Sequence, residues 1–193
     1  WTVALPQAGT YFARISNHAP YFQPRDQYSL TLGFSAGSTA GYELESNGTR
    51  AQSTPLLLGS PITGQIASPT DLDYYVLTTT SAGMLNLSLT PGVPSYYDTP
   101  ALAVEDADGN TLASFNNNYS KATSLSLALT DPGTYHIRVS NTAVNGVIPI
   151  GQALYGLQAT LTAGVAPGVE TESNNTRATA DPIAIGGTSM AGQ

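Results

Sequence analysis

Residues Glu43–Ala51 (Glu-Leu-Glu-Ser-Asn-Gly-Thr-Arg-Ala) return as Glu170–Ala178 (Glu-Thr-Glu-Ser-Asn-Asn-Thr-Arg-Ala), an offset of 127 residues (170 − 43) that Gly59 and Gly186 share. A second echo runs the other way. Leu5–Asn17 reads like Leu129–Asn141 at an offset of 124 (129 − 5), while Tyr28-Ser29-Leu30 and Tyr155-Gly156-Leu157 are again 127 apart. The difference of three fits a longer loop in the second copy. Self-similarity at a fixed period means strung or stacked modules. Three units are therefore expected: C-terminal strands of a preceding repeat (1–37), a complete repeat (41–164) and the N-terminal part of a following one (168–193). A unit of about 120 residues can close a core of its own, whereas the partial ends cannot. They are expected to come from a longer chain, or to pack on the central unit or on a neighbouring copy. A chain that opens on Trp1 in mid-repeat is read as trimmed.

Period-two alternation dominates the complete unit. Leu85, Leu87 and Leu89 alternate with Asn86, Ser88 and Thr90, and Leu125, Leu127 and Leu129 with Ser124, Ser126 and Ala128. Tyr135, Ile137 and Val139 alternate with His136, Arg138 and Ser140, and Tyr155, Leu157, Ala159 and Leu161 follow the same rule. Each run predicts a strand with one buried face. Turn signals separate them: Ser81-Ala82-Gly83, Thr90-Pro91-Gly92, Asp108-Gly109-Asn110 and Asp131-Pro132-Gly133. Helical periodicity is nearly absent, and only Asn47–Leu57 could hold a short turn. Strands recurring about every ten residues predict an all-β, jelly-roll-like β-sandwich. Small, Gly-rich stretches at Ser35–Gly41 and Ala163–Gly168 mark the joints between units.

Composition removes several functions. The net charge is −7, with one lysine (Lys121) and five arginines scattered along the chain. There is no basic run to meet a phosphate backbone or an anionic membrane. No apolar run reaches the ~18 residues of a spanning helix. Cysteine is absent, which excludes disulfide staples and thiolate metal sites. Low lysine, an acidic pI and many small polar residues lean towards a secreted or surface-attached bacterial protein.

The chemistry concentrates where the units open. Glu43, Glu45 and Asn47 recur as Glu170, Glu172 and Asn174, and the complete unit adds Asp71 and Asp73 ahead of Tyr74-Tyr75. An i, i+2, i+4 spacing in extended chain projects three oxygen-bearing side chains to one side. Four carboxylates gathered without a cation are costly, and this stretch offers only Arg50 in compensation. Oxygen ligands in that number suit Ca²⁺, which takes six to eight; Mg²⁺ prefers fewer protein ligands in strict octahedral geometry. The competing reading is a solvated turn in which the acids act as caps.

The same residues carry a family resemblance. Glu-x-Glu-x-Asn, then Gly64-Gln65-Ile66, then Asp71-x-Asp73-Tyr74-Tyr75-x-Leu77, then Asp106-x-Asp108-Gly109-Asn110, then Pro132-Gly133-Thr134-Tyr135-x-Ile137-Arg138-Val139 and a closing Tyr155-x-Leu157 resemble the bacterial pre-peptidase C-terminal domain. That group includes the collagen-binding domains of clostridial collagenases. The resemblance covers 41–164 and, in part, both ends. It implies a calcium-binding β-sandwich without catalytic activity, attached to secreted enzymes or surface proteins. It also implies Glu43, Glu45, Asn47, Asp71 and Asp73 as ligand positions. Collagen-binding members often carry Asp after the Asn; Gly48 stands there in this chain, which argues against a second ion in the pocket.

Other signals weigh less. Gly33-Phe34-Ser35-Ala36-Gly37 matches the Gly-x-Ser-x-Gly pattern of a nucleophile elbow. That elbow needs a strand-to-helix turn with a downstream His and acid, and here it runs into a Gly/Ser linker. Asp106–Asn110 looks like half of an EF-hand loop, but Asn117 stands at the closing position and the flanks read as strands, so a hairpin turn is expected. Of Tyr74 and Tyr75, alternation turns one inward. Tyr96, Tyr97 and Tyr119 are candidate ligand-stacking residues. The expected function is a non-catalytic, calcium-binding structural or adhesive repeat, able to self-associate through its ends. The alternative is a module that targets an attached hydrolase to polysaccharide or to fibrous protein such as collagen.

Overall fold

From Leu72 to Leu161 the apolar side chains fall mostly on every second residue, and extended chain is the conformation that gathers them on one face. The structure is a computed structural model. It describes residues 3–5, 7–15, 27–92, 99–116, 122–142, 153–164, 168–172, 174–183, 185–187 and 189–192. A 3-10 turn at Arg50–Gln52 precedes nine strands. They are β1 (Thr54–Pro55), β2 (Ile62–Ile66), β3 (Leu72–Thr79), β4 (Gly83–Pro91), β5 (Thr99–Glu105), β6 (Thr111–Asn116), β7 (Thr123–Leu129), β8 (Gly133–Thr142) and β9 (Ala153–Ala163).

Two sheets form. One has five strands in the order β1-β3-β8-β5-β6, and the other four in the order β2-β9-β4-β7. All pairings are antiparallel except β1 with β3. Every connection but β5–β6 crosses from one sheet to the other, so this is the expected sandwich. Leu85, Leu87 and Leu89 of β4, Leu127 and Leu129 of β7 and Leu157 of β9 meet Tyr75 and Leu77 of β3, Leu102 and Val104 of β5, and Ile137 and Val139 of β8. Most of their intervening neighbours are exposed or half-buried, as the alternation requires, while Ala103 and Ala128 are buried as well. The β5–β6 turn is closed by Asp106, whose Oδ1 accepts from the Asp108 and Asn110 amides at 2.9 and 2.8 Å. Gly109 in this turn has φ of +94°, a conformation that glycine adopts without steric cost. The hairpin reading of Asp106–Asn110 agrees with this arrangement.

The chain outside the sandwich differs. Among the described residues of 3–37 no strand forms. Tyr28 and Leu30 are 71% and 54% exposed, whereas Tyr155 and Leu157, at the matching places of β9, are each 1% exposed. The cause is a lack of neighbours: β9 is held between β2 and β4, and among the described residues the similar segment near Tyr28 has no such pair of strands beside it. The C-terminal segment does reproduce the opening of the complete unit. Tyr42 pairs with Thr63 in a parallel bridge, and Val169 pairs with Ala191 in another. The Thr63 amide donates to Gly41 O at 2.8 Å and the Ala191 amide to Gly168 O at 2.7 Å.

Leu87 is buried and its neighbour Ser88 exposed. Leu87→Ala is expected to lower unfolding free energy by about 2–5 kcal/mol, and Ser88→Ala to change it by no more than about 0.5 kcal/mol, both measured by urea denaturation.

Candidate metal centre

The opening segment is tied down before it reaches the sandwich. The Glu43 amide donates to Thr63 O at 2.9 Å, the Leu44 amide to Thr54 Oγ1 at 3.0 Å, and the Tyr74 amide to Asn47 O at 2.9 Å. These bonds lay residues 43–47 against the start of β3, which carries Asp73. One oxygen each from Glu43, Glu45 and Asp73 lies within 4.8 Å of the others. Glu43 is 6% exposed, and Asn47 and Asp73 are fully buried.

The hydrogen bonds around these groups are unequal. Glu43 Oε1 accepts from the Gln65 amide at 2.6 Å, and its Oε2 from Tyr75 Oη at 3.2 Å and Tyr155 Oη at 3.4 Å. Asp73 Oδ2 accepts from Tyr155 Oη, and the two phenol oxygens are 2.7 Å apart. Glu45 Oε2 accepts from the Asn47 amide at 3.3 Å. Two buried oxygens, Asn47 Oδ1 and Asp73 Oδ1, have no hydrogen-bond partner among the described residues. A buried acceptor left unpaired costs about 1–3 kcal/mol, and no described residue relieves that cost at either atom.

Burial sets the protonation. It pushes Asp73 up to about 9 and Glu43 up to about 7, with the neighbouring carboxylate adding to each. Glu45 is raised as well, by burial first and then by Asp71. Oxygen donors with buried, mutually repelling charge fit a hard divalent cation. Two ligands of one Ca²⁺ at 2.3–2.6 Å can lie no more than about 5 Å apart, and the three carboxylates meet that limit. Zn²⁺ usually takes Cys or His ligands, which this cluster lacks.

Asp71 stands apart from the three acids that converge. Its Oδ2 accepts from the Ala67 amide at 2.6 Å and its Oδ1 from the Leu72 amide at 3.1 Å. A turn bonded from the Asp71 amide to Ser68 O precedes β3, so the extended spacing that would align Asp71 with Asp73 does not reach it. Arg50 does not compensate the acids, contrary to expectation. Its Nη2 donates to Asp106 O and to Ala107 O, the latter at 2.9 Å, and its Nε lies 3.7 Å from Glu105 Oε2.

In the second copy Glu170, Glu172 and Asn174 gather again. The Asn174 amide donates to Glu172 Oε2 at 3.1 Å, and Asn174 Nδ2 reaches Glu170 Oε2 at 3.4 Å. Asp181 joins them, an acid the sequence reading missed. It accepts from the Thr171 amide at 2.7 Å and from Asn174 Nδ2 at 3.3 Å. In the first copy Thr54 Oγ1 accepts the matching pair of bonds, from the Leu44 amide and Asn47 Nδ2. Thr54 and Asp181 are themselves 127 apart (181 − 54), so the repeat offset could have revealed both. Tyr96, Tyr97 and Tyr119 lie outside the described residues. Ser35 sits in an exposed segment with no strand or helix around it.

No protein-family model matches the sequence, and no curated protein matches it. Among solved structures, the chain is similar to the pre-peptidase C-terminal domain of collagenase from Bacillus anthracis, at 17% identity and a TM-score of 0.42, covering 56% of this chain and 94% of that one. That domain is of the family the sequence resembles. The chain is also similar to PliG of Aeromonas hydrophila, a periplasmic inhibitor of g-type lysozyme, at 16% identity and a TM-score of 0.42, covering 57% and 96%. A third likeness is to a carbohydrate-binding module, CBM36, in complex with calcium and xylotriose, at 17% identity and a TM-score of 0.32, covering 54% and 93%.

The raised carboxylates fix the sign of a pH effect. Unfolded Asp and Glu titrate near 3.9 and 4.3, below the folded values of about 9 for Asp73 and about 7 for Glu43. With metal removed, the folded state therefore holds more protons than the unfolded state in between, and stability falls as pH rises. The contribution is complete below about pH 4 and is lost as pH rises through 7 and then 9. Melting in chelator is expected at higher temperature at pH 5 than at pH 9, measured by circular dichroism.

Proposed function

We propose that residues 41–164 form a non-catalytic, calcium-binding β-sandwich module of a secreted or surface-attached bacterial protein, repeated along the chain as a structural or adhesive unit. The observation that supports it most is the pair of buried oxygens, Asn47 Oδ1 and Asp73 Oδ1, without a partner among the described residues and set beside three converging carboxylates. Glu43, Glu45, Asn47 and Asp73 would hold the ion, with Asp71 adding negative charge nearby. Glu170, Glu172 and Asn174, with Asp181, would form the corresponding half-site of the following unit. Bound calcium would supply the positive charge that this cluster lacks and tie the opening segment to β3. Its stabilising effect grows by mass action, about 2.7 kcal/mol at a hundred times Kd.

A targeting role is the second reading, with a polysaccharide or protein ligand. Its support is the four-stranded sheet: β2, β4, β7 and β9 carry no charged residue. The outer face presents Ser88, Ser126 and Thr160, and Ser126 Oγ donates to Asn86 Oδ1 at 2.7 Å. Binding on a glycan and collagen array would favour this role over a purely structural one.

Calcium is expected to raise the melting temperature above that in chelator. Asp73→Asn is expected to abolish most of that rise without lowering the melting temperature in chelator, since an amide carries no buried charge. An identical melt of the unsubstituted protein with and without chelator would refute the calcium reading.

A further inference from the structure

Behind the acidic cluster stand two tyrosines from opposite sheets, Tyr75 of β3 and Tyr155 of β9, 0% and 1% exposed. Their phenol oxygens are 2.7 Å apart and both lie against carboxylates: Tyr155 Oη at Asp73 Oδ2, Tyr75 Oη at Glu43 Oε2. The backbone has given way to make room for them. A Cβ on Gly64 would lie 2.4 Å from Tyr155 Oη and 2.6 Å from Tyr75 Oη, closer than atoms can stand. Gln65, the next residue, donates its amide to the other oxygen of Glu43 at 2.6 Å.

We infer that Tyr75 and Tyr155 are positioning residues of the calcium site, holding Glu43 and Asp73 by their outer oxygens so that the remaining lone pairs converge on the ion. This inference rests on the calcium reading. The chemical reason is charge. A lysine or arginine in this place would orient the carboxylates but would also neutralise them and compete with the cation. A phenol donates one hydrogen bond and adds no charge, so the full negative charge stays available to the metal. The 2.7 Å contact between the two phenol oxygens and the close approach of both to Gly64 fix their relative placement. The arrangement also divides the work within Asp73: Oδ2 is held by Tyr155, and Oδ1, the unpartnered atom, is left to bind. Outer-shell donors of this kind typically contribute 10–100-fold to metal affinity.

The test is calcium titration of the full chain by isothermal calorimetry, with terbium emission excited through tyrosine as a second readout. Tyr155→Phe keeps the ring and removes the donor; it is expected to weaken calcium binding by about 10–100-fold. Tyr75→Phe, which removes the donor to Glu43, is expected to weaken it in the same direction and serves if Tyr155→Phe does not fold. Tyr135→Phe is the control, because Tyr135 Oη donates to Asp131 O, away from the site; its affinity is expected to match that of the unsubstituted protein. Folded Tyr155→Phe and Tyr75→Phe variants that bind calcium as tightly as the unsubstituted chain would overturn the positioning role and leave the calcium reading standing. Failure of the unsubstituted chain itself to bind calcium would overturn both.

Discussion

Like charges brought together out of water repel, and the placement of Glu43, Glu45 and Asp73 turns that repulsion into the organising constraint of this module. The three acids do not belong to one loop. Two come from a segment that precedes the sandwich, and one is buried at the start of β3. Something must balance them, by protons or by a cation, before residues 43–47 can lie where the backbone bonds to Thr63, Thr54 and Tyr74 put them. The neutral donors around them, two phenols and two backbone amides, orient the carboxylates without quenching their charge. The opening of the module is therefore conditional on what sits in the cluster, whereas the leucine-rich interior is not.

Much of this was legible from residue spacing. Glu43, Glu45 and Asn47 were found because extended chain aligns alternate side chains, and Asp73 because the next strand begins beside it. The same rule misled at Asp71, where a turn at Ser68 breaks the extension and both carboxylate oxygens close on local amides. Arg50 was placed with the acids on proximity in sequence alone. Its side chain instead reaches across to the β5–β6 turn and Glu105, a contact between residues more than fifty apart. Alternation showed that one of Tyr74 and Tyr75 turns inward, but not that Tyr75 meets Tyr155. That meeting depends on how two sheets are stacked, and no periodicity within one strand encodes it.

The two copies of the opening segment show what is local in this design and what is not. The parallel bridge, the turn glycines and the bonds among the acid–Asn set recur around residues 168–192. Those bonds lie within the segment, which also bridges Leu129 of β7 through Glu172. Burial does not recur: Leu56 is 3% exposed, whereas Ile183, at the matching place, is 75% exposed. Hydrogen-bonded geometry here is a property of about twenty-five residues, but a buried, charge-raised cluster is a property of the whole sandwich.

The connectivity has a kinetic meaning. With every link but β5–β6 passing between sheets, most neighbouring strands come from distant parts of the chain: β2 pairs β9 and β3 pairs β8. Closing such long loops costs entropy before any contact rewards it, and domains built this way assemble in milliseconds to seconds rather than microseconds. The hairpin around Asp106 and Gly109 is the one connection that stays within a sheet, and Tyr155, which donates to Asp73, is carried by β9, the last strand of the sandwich.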